Sequence, residues 1–449
     1  MQVSPARKIA FEILRQVDAG QAFASDLLQE RRVSALGERD RALATQIVMG
    51  VLRWRGEIDY RLQQLSGKSA QSLDCEVATA LRMGVYQIAF LEKIPKSAAV
   101  NESVELTKLS RKRSAAGFVN AVLRKCKPEK LAQNMSSALP DVPSLLAGVR
   151  RSVPAWMLGR WEKNFGVETA NWLAWVASLV PSTTLRVCST TPEPDDVVRR
   201  LEEKGSVVRR GKYASRALIA EAGEGVISRI ADELGLAIQD EASQLIAELL
   251  QVHSGDRVLD VCAAPGMKTS LLADAVGDGL LVACDASARR LETLRKLLLR
   301  LTANASAVRV VRLDATEPLP FRRKFNRILV DAPCSGTGTL ARNPEIKWRL
   351  TKDDLDRLPE IQRRILSNTL TVLAPGGRLV YATCSLELEE NEQVVESVLA
   401  ATAGCRLLGR EEIANELPKS APLIDALGYF HTRPDLDGMD GFFAAVITR

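Results

Sequence analysis

Two cysteines stand in loops where packing does not call for a thiol. Cys334 lies in VDAPCSGTGTL and Cys384 in YATCSLELEENE, each directly after an apolar, strand-like run and among small hydroxyl residues. A thiolate is a strong nucleophile, and two thiols at neighbouring strand ends can divide one reaction into attack and release. The other six cysteines read differently. Cys75, Cys126, Cys188 and Cys405 fall within helix-like or strand-like patterns, Cys284 is interior to a strand, and Cys262 lines a turn. These are expected to be packing, surface or lining residues. No C-x-x-C occurs, and the only histidines are His253 and His431. Neither a structural metal site nor a disulfide framework is therefore expected.

A second constellation precedes the thiols. LDVCAAPGMKT places a turn of small residues, Ala263, Ala264, Pro265 and Gly266, between a strand and a helix. Such a turn lets backbone approach a ligand closely, but it is not G-x-G-x-x-G and implies no pyrophosphate cradle. Asp260, Asp285, Asp314 and Asp331 close four successive strand-like runs. An acid at the position of Asp285 accepts from ribose hydroxyls, and Asp314 is placed to accept from an adenine amino group. Acids at successive strand ends after a small-residue turn point to a nucleoside-bearing cofactor. With no P-loop lysine motif, S-adenosylmethionine is the expected one, its sulfonium suiting an acidic pocket. The chemistry that needs a thiol beside a sulfonium methyl donor is methylation of carbon 5 of cytosine. A thiolate adds to carbon 6, carbon 5 becomes an enamine carbon able to take the methyl group, and the carbon 5 hydrogen must leave before the thiolate can. One thiol attacks and the other assists release.

The elements that hold these residues follow from periodicity. From about 239 onward, Val-, Ile- and Leu-rich strands alternate with helical patterns, as in a doubly wound sheet covered on both faces. Ligands bind at the carboxyl ends of such strands, where all the residues above lie. Residues 1–140 read as all helix: Ile9, Ile13, Leu14 and Val17 share a face, as do Leu43, Ile47 and Val51, and Leu81, Val85, Ile88 and Leu91 repeat the pattern until Pro95. Residues 136–154, rich in Pro and Ser, read as a boundary. Residues 141–238 are expected to be a helical linker and a small α+β module, with Trp156, Trp161, Phe165, Trp172 and Trp175 packing rather than stacking on bases.

Charge adds a partner. Residues 1–140 hold 22 Lys and Arg against 14 Asp and Glu, whereas the remainder holds 39 against 41. Arg111, Lys112, Arg113, Arg124, Lys125 and Lys127 flank the apolar Phe118, Val119, Val122 and Leu123, an amphipathic helix with cationic ends suited to phosphates. No stretch approaches the roughly 20 apolar residues of a membrane span, so a cytoplasmic protein is expected. Nothing sets an oligomeric state; a monomer is the simplest expectation.

The motifs QDEASQL, DVCAAPGMKT, CDASARRLETL, LVDAPCSGTGTLARNPEIKWR, YATCSLELEENE and DGFFAA resemble those of bacterial RNA cytosine-5 methyltransferases, in particular the ribosomal RNA small subunit methyltransferase B group, also called Fmu or Sun. KSAAVNESVELTK and GFVNAVLRK resemble its NusB-type RNA-binding domain, so the resemblance spans the chain. It implies a multidomain protein: a NusB-like all-α domain over 1–140, the small module over 141–238 and a Rossmann-like α/β methyltransferase domain over 239–449. It implies that Cys384 is the nucleophile and Cys334 assists release, that Cys262, Ala263, Ala264, Pro265, Gly266, Met267, Lys268, Asp285, Arg290, Asp314 and Asp331 contact S-adenosylmethionine, that Lys268 and Asp331 also reach the base, and that the substrate is a cytosine of small-subunit ribosomal RNA. Met267 replaces a common glycine, and Cys188 stands where related enzymes often carry asparagine, which implies a weakened RNA contact. The segment 335–356, with Arg342, Lys347, Trp348 and Arg349, is long for a connection and is expected to order over RNA. The rival readings are an RNA-binding or ribosome-assembly protein with an inactive methyltransferase domain, a cytosine-5 methyltransferase of another RNA, and a DNA cytosine methyltransferase.

Overall fold

In the computed structural model the described residues are 3–128, 139–140, 142–191, 193–222, 227, 230, 231 and 233–449. Of the proline-rich boundary stretch, residues 136–138 and 141 lie outside them. The chain divides into two compact units: Met1–Pro181 with Leu340–Arg349, and Ser182–Thr339 with Leu350–Arg449. Residues 141–181 thus fall with the helical front, and 182–238 with the α/β part.

Among the described residues, the regular structure of the first unit is all helix. Its central helix, Cys75–Phe90, is buried without interruption from Val77 to Phe90, because apolar residues occupy every side of it. Helices Pro5–Asp18, Glu38–Arg53 and Lys96–Leu109 pack against it. Gly84 admits one neighbour closely: a Cβ there would lie 2.5 Å from a methyl of Leu123. Two of the arginines enclosed in this core find polar partners, as burial demands. Arg82 grips Asp59 with two hydrogen bonds of 2.7 and 2.9 Å, and Arg7 reaches Gln87 at 2.6 Å and Glu102 at 2.8 Å. Trp161 and Trp175 are buried within this unit, as the packing reading expects. Arg111, Arg113, Arg124, Lys125 and Lys127 are exposed, whereas Lys112 is half-buried and pairs with Asp74 at 3.1 Å.

The segment Leu340–Arg349, although it follows the Cys334 loop in sequence, is built into the helical unit. Glu345 accepts from Ala24 N at 2.8 Å, Arg53 Nη2 donates to Ala341 O at 2.8 Å, Lys347 Nζ donates to Arg53 O at 2.7 Å, and Trp348 Nε1 donates to Leu52 O at 2.7 Å. Lys347 is 1% exposed, and burial, with Arg53 nearby, pulls its ammonium well below the ordinary value. The expectation that Lys347 meets RNA is therefore corrected: its amine satisfies a backbone carbonyl inside the unit, and the half-buried Trp348 donates to another. Periodicity could not reveal this, because the segment's partners lie some 300 residues away.

The second unit contains two sheets. The small one has strands β1 (Thr184–Arg186), β2 (Val207–Arg210), β3 (Ala217–Ala222) and β4 (Ala237–Ile238), in the order β2-β3-β1-β4. The large one has β5 (Arg257–Asp260), β6 (Leu280–Asp285), β7 (Val308–Arg312), β8 (Phe325–Asp331), β9 (Leu373–Thr383), β10 (Arg406–Leu407), β11 (Tyr429–Thr432) and β12 (Phe442–Thr448). Its order is β10-β12-β9-β8-β5-β6-β7, with β11 beside β12. Strands β5 to β9 are parallel, and β12 enters antiparallel against β9. Their centres are buried on both faces. Helices Met267–Val276 and Ala288–Leu301 supply one apolar layer, Asp354–Leu370 and Glu392–Ala400 the other. The result is the doubly wound Rossmann-like arrangement that the strand composition implies. β5 pairs with both β6 and β8, so the direction of winding reverses there and a crevice opens at the carboxyl ends of these strands.

Candidate active site

Cys334 and Cys384 meet because β8 and β9 are parallel neighbours, with Asp331 opposite Ala382. Each strand runs into its loop at the same level, and the two sulfurs stand 3.3 Å apart. Backbone knits the loops together: Ala332 N donates to Ala382 O at 2.8 Å, Gly338 N to Cys384 O at 2.9 Å, and Cys384 N to Cys334 Sγ at 3.4 Å. Gly338 allows a further contact. A Cβ there would fall 2.0 Å from Gly441 O, and Gly441 N donates to Gly338 O at 2.8 Å, which accounts for glycine in both GTG and DGFF. Both thiols are half-buried. The Cys334 thiol is held well above its ordinary pKa by its hydrogen bond to Cys384, by burial, and by the negative charges of Cys384 and Glu390.

Lys268 and Asp331 flank the pair, Nζ to Oδ2 at 2.8 Å, and the ammonium lies 5.0 Å from the centre of the Phe442 ring. Burial pulls the Lys268 ammonium down, but Asp331 and, beyond it, Cys384 outweigh this and hold it above the ordinary lysine value.

The small-residue turn follows β5. Ala263 N donates to Cys284 O at 2.8 Å, and Gly266 caps the Met267–Val276 helix with φ of 112°, a conformation that disfavours any side chain. Pro265 is exposed. Cys262 packs against the opposite layer, that of Asp354–Leu370 and Glu392–Ala400, its thiol pushed up by burial and the nearby acids. Asp260 is buried; it accepts from Thr269 Oγ1 at 2.7 Å, its other oxygen has no hydrogen-bond partner among the described residues, and burial raises its pKa to about 7. Asp285, buried at the end of β6, accepts from Ser287 N at 2.8 Å and pairs with Arg290 at 3.3 Å; Arg290 also donates to Ala264 O. Asp314 differs from this set. It lies two residues past β7, is exposed, and accepts from Thr316 N and Oγ1 at 2.9 and 2.8 Å, bonds that lower its pKa.

The two departures acquire a structural reading. Cys188 is 3% exposed and its sulfur lies 3.6 Å from Arg186 Nη2. It faces the core of the unit, so the expectation of an altered RNA contact at this residue is corrected. Met267 offers its carbonyl to Arg186 Nη1 at 2.7 Å and packs against Cys188, Ala237 and Leu301. Arg186 was not singled out from sequence. It is 1% exposed and also reaches Gln239 at 2.7 Å and Ser270 at 2.6 Å, so it fastens the small sheet to the turn. Glu390 and Asn391, which lie inside the quoted thiol motif, were likewise missed. No spacing rule marks a buried carboxylate that serves a loop 55 residues earlier.

The fold and site define a Rossmann-like methyltransferase joined to a NusB-type helical unit. Residues 247–448 match the model of the 16S rRNA methyltransferase RsmB/F family, and residues 4–128 match the NusB family. A probable ribosomal RNA small subunit methyltransferase B of Bacillus subtilis is 30% identical over 99% of this chain and 98% of that protein. The ribosomal RNA small subunit methyltransferase B of Pseudomonas putida is 32% identical over 99% and 98%. Among solved structures, PH0851 superposes with a TM-score of 0.80 at 22% identity over the whole of both chains. A methyltransferase homolog protein from Pyrococcus horikoshii superposes at 0.54 and 29% identity over 68% of this chain and 99% of its own. The chain belongs to the ribosomal RNA small subunit methyltransferase B family, a family of ribosomal RNA methyltransferases.

Proposed function

We propose that the protein transfers a methyl group to carbon 5 of a cytosine in small-subunit ribosomal RNA through a covalent cysteine adduct. The observation that carries this reading is the pair of thiols 3.3 Å apart at the ends of β8 and β9. The residues of the turn suit S-adenosylmethionine. Asp260 keeps an unpartnered buried oxygen, Gly266 removes side-chain bulk, and Asp285 ends β6 where a ribose is held in such folds. With Cys262 to Lys268, Arg290, Asp314 and Asp331 they would hold it, and it would supply the methyl group.

In this reading Cys384 adds as thiolate to carbon 6 of the cytosine, forming the S–C6 bond and making carbon 5 nucleophilic. After carbon 5 has gained the methyl group, its proton passes to solvent water, the C–H electrons restore the C5–C6 double bond, and the S–C6 bond breaks to return Cys384 as thiolate. Cys334, whose environment favours the protonated thiol, hydrogen-bonds the sulfur of Cys384 and assists this release. Lys268 and Asp331, paired beside the thiols, orient the base. The base must leave its stack to reach them, at a cost of a few kcal/mol that is least in a loop or single strand. The exposed Arg111, Arg113, Arg124, Lys125 and Lys127 of the helical unit contact the RNA phosphates.

The test is incorporation of labelled methyl from S-adenosylmethionine into unmodified small-subunit ribosomal RNA, with the position read by bisulfite sequencing. One protected cytosine or a few are expected. Label absent from RNA refutes the proposal in favour of an assembly role, and label in DNA at a comparable rate refutes its substrate.

A further inference from the structure

Beneath the two thiols lies a buried polar network that the proposed chemistry does not itself use. Its centre is Glu390, which is 0% exposed. Its carboxylate accepts from Ser335 N at 2.9 and 3.2 Å and from Ser335 Oγ at 2.6 Å, and Gln362 Nε2 approaches it at 3.4 Å. Gln362 also donates to Pro333 O at 2.9 Å. The residues on both sides of Cys334 are thus fixed, one by Glu390 and the other by Gln362. Ser335 Oγ stands 3.0 Å from Ser385 Oγ, which carries the network to the residue following Cys384. Asn391 completes that side, accepting from Thr383 Oγ1 at 2.5 Å and donating to Ser385 O at 2.9 Å. Tyr381 OH donates to Glu390 O at 2.7 Å and locks the start of the following helix beneath β9.

A carboxylate with no exposure is costly unless hydrogen bonds satisfy it. Here most of those bonds end on a single loop residue, Ser335. A glutamine would fill the same space at lower cost if only packing were required.

We propose that Glu390 is a positioning residue for the Cys334 thiol: by clamping Ser335, it fixes the spacing between the two sulfurs on which release of the RNA adduct depends. The inference rests on the covalent mechanism proposed above. The groups facing Cys334 are Cys384 and Tyr381 from β9 and its loop and Glu390 from the loop beyond, with Glu387 beside Glu390; Asp331 at the end of β8 and Lys268 of the Met267–Val276 helix, paired with each other, flank the two thiols. The negative charge of Glu390 is one of the causes that hold the Cys334 thiol above its ordinary pKa, after its hydrogen bond to Cys384, burial and the charge of Cys384.

Two variants separate charge from reach. Glu390→Gln keeps the shape and an acceptor for Ser335 N but removes the charge. Glu390→Asp keeps the charge but withdraws it from Ser335. The first readout needs no RNA: iodoacetamide alkylation of Cys334, resolved by peptide mass spectrometry across pH, with the exposed Cys75 as internal reference. Glu390→Gln is expected to lower the alkylation midpoint of Cys334 by about half to one pH unit and to leave that of Cys75 unchanged. Glu390→Asp is expected to raise the rate at fixed pH, because the loop is no longer clamped. An unchanged Cys334 profile in both variants, with melting temperature preserved, overturns the proposal.

The second readout is the protein–RNA adduct on a denaturing gel, with Cys334→Ala as the reference. Both Glu390 variants are expected to accumulate the shifted band and to lose at least tenfold in turnover, with donor affinity unchanged. If Cys334→Ala traps adduct and neither Glu390 variant does, the link to release is overturned. If Cys334→Ala itself traps none while the alkylation profile moves, the covalent mechanism fails, and the hold of Glu390 on the thiol stands.

Discussion

Replacing Cys334 by alanine separates the two halves of the proposed reaction. The half-buried thiol lies 3.3 Å from Cys384 Sγ and accepts from Cys384 N at 3.4 Å. Deleting one sulfur from such a site costs on the order of 1 kcal/mol in packing, well below the stability of a typical domain, so the variant folds. The loss in chemistry is larger. A group positioned to hydrogen-bond the departing sulfur, acting as a general acid does, contributes roughly 10²- to 10⁴-fold, which is about 2.7–5.5 kcal/mol of barrier. If that loss falls on release and not on attack, the adduct outlives the free enzyme and becomes the main species within one turnover. The assay is single-turnover incubation with unmodified ribosomal RNA and S-adenosylmethionine, followed by denaturing electrophoresis. Cys334→Ala is expected to give a shifted band containing RNA, Cys384→Ala to give none, and the double variant to give none. A band from Cys384→Ala and none from Cys334→Ala would reverse the assigned roles. No band from either variant, with methyl transfer intact in the parent, would falsify the covalent step.

Three further outcomes follow from the structure. Lys347→Met fills the space of the buried amine but leaves Arg53 O without its donor; it is expected to cost about 1–3 kcal/mol of stability and to leave RNA affinity of the folded protein intact, whereas a loss of RNA affinity at full stability would restore the surface role. Arg186→Ala removes the donor to Gln239 Oε1 and Ser270 Oγ and one of the donors to Met267 O and is expected to cost about 1–3 kcal/mol and to weaken binding of S-adenosylmethionine, as measured by calorimetry; unchanged donor affinity would separate the small sheet from the turn. Asp260 has its pKa raised from 3.8 to about 7, so its contribution to stability is fully present below pH 4 and is lost as pH rises through 7. Without cofactor, the stability of the parent should fall relative to Asp260→Asn by about 2–4 kcal/mol across that window, and parallel melting curves from pH 5 to 8 would refute the assignment.

Much of the α/β unit was legible because its strands are buried on both faces and read as continuous apolar runs. Strands β5 to β9 and β12 fall where VLDV, LLVACD, VRVV, RILVD, RLVYAT and FFAAV place them. Strands β4, β10 and β11 escaped because segments of two to four residues carry no usable period. The nearness of the thiols follows from the adjacency of β8 and β9, which composition and loop chemistry point to but do not specify. Glu390 and Arg186 were hidden for another reason. A charged residue in a polar loop or a short strand looks solvated in sequence, and only the fold reveals that its partners lie 55 and 84 residues away. Lys347 is the clearest instance: lysine in a long connection reads as surface, yet here its ammonium satisfies a carbonyl in the helical core.

The placement of Leu340–Arg349 inside the helical unit has a consequence for how the protein is made. A ribosome translating this message will have released Met1–Pro181 long before Glu345, Lys347 and Trp348 are synthesised. Until then Arg53 O, Leu52 O and Ala24 N lack the groups that later satisfy them. Truncation after residue 181 would therefore yield an unfinished helical domain, and supplying 340–349 as a separate peptide is the way to complete it.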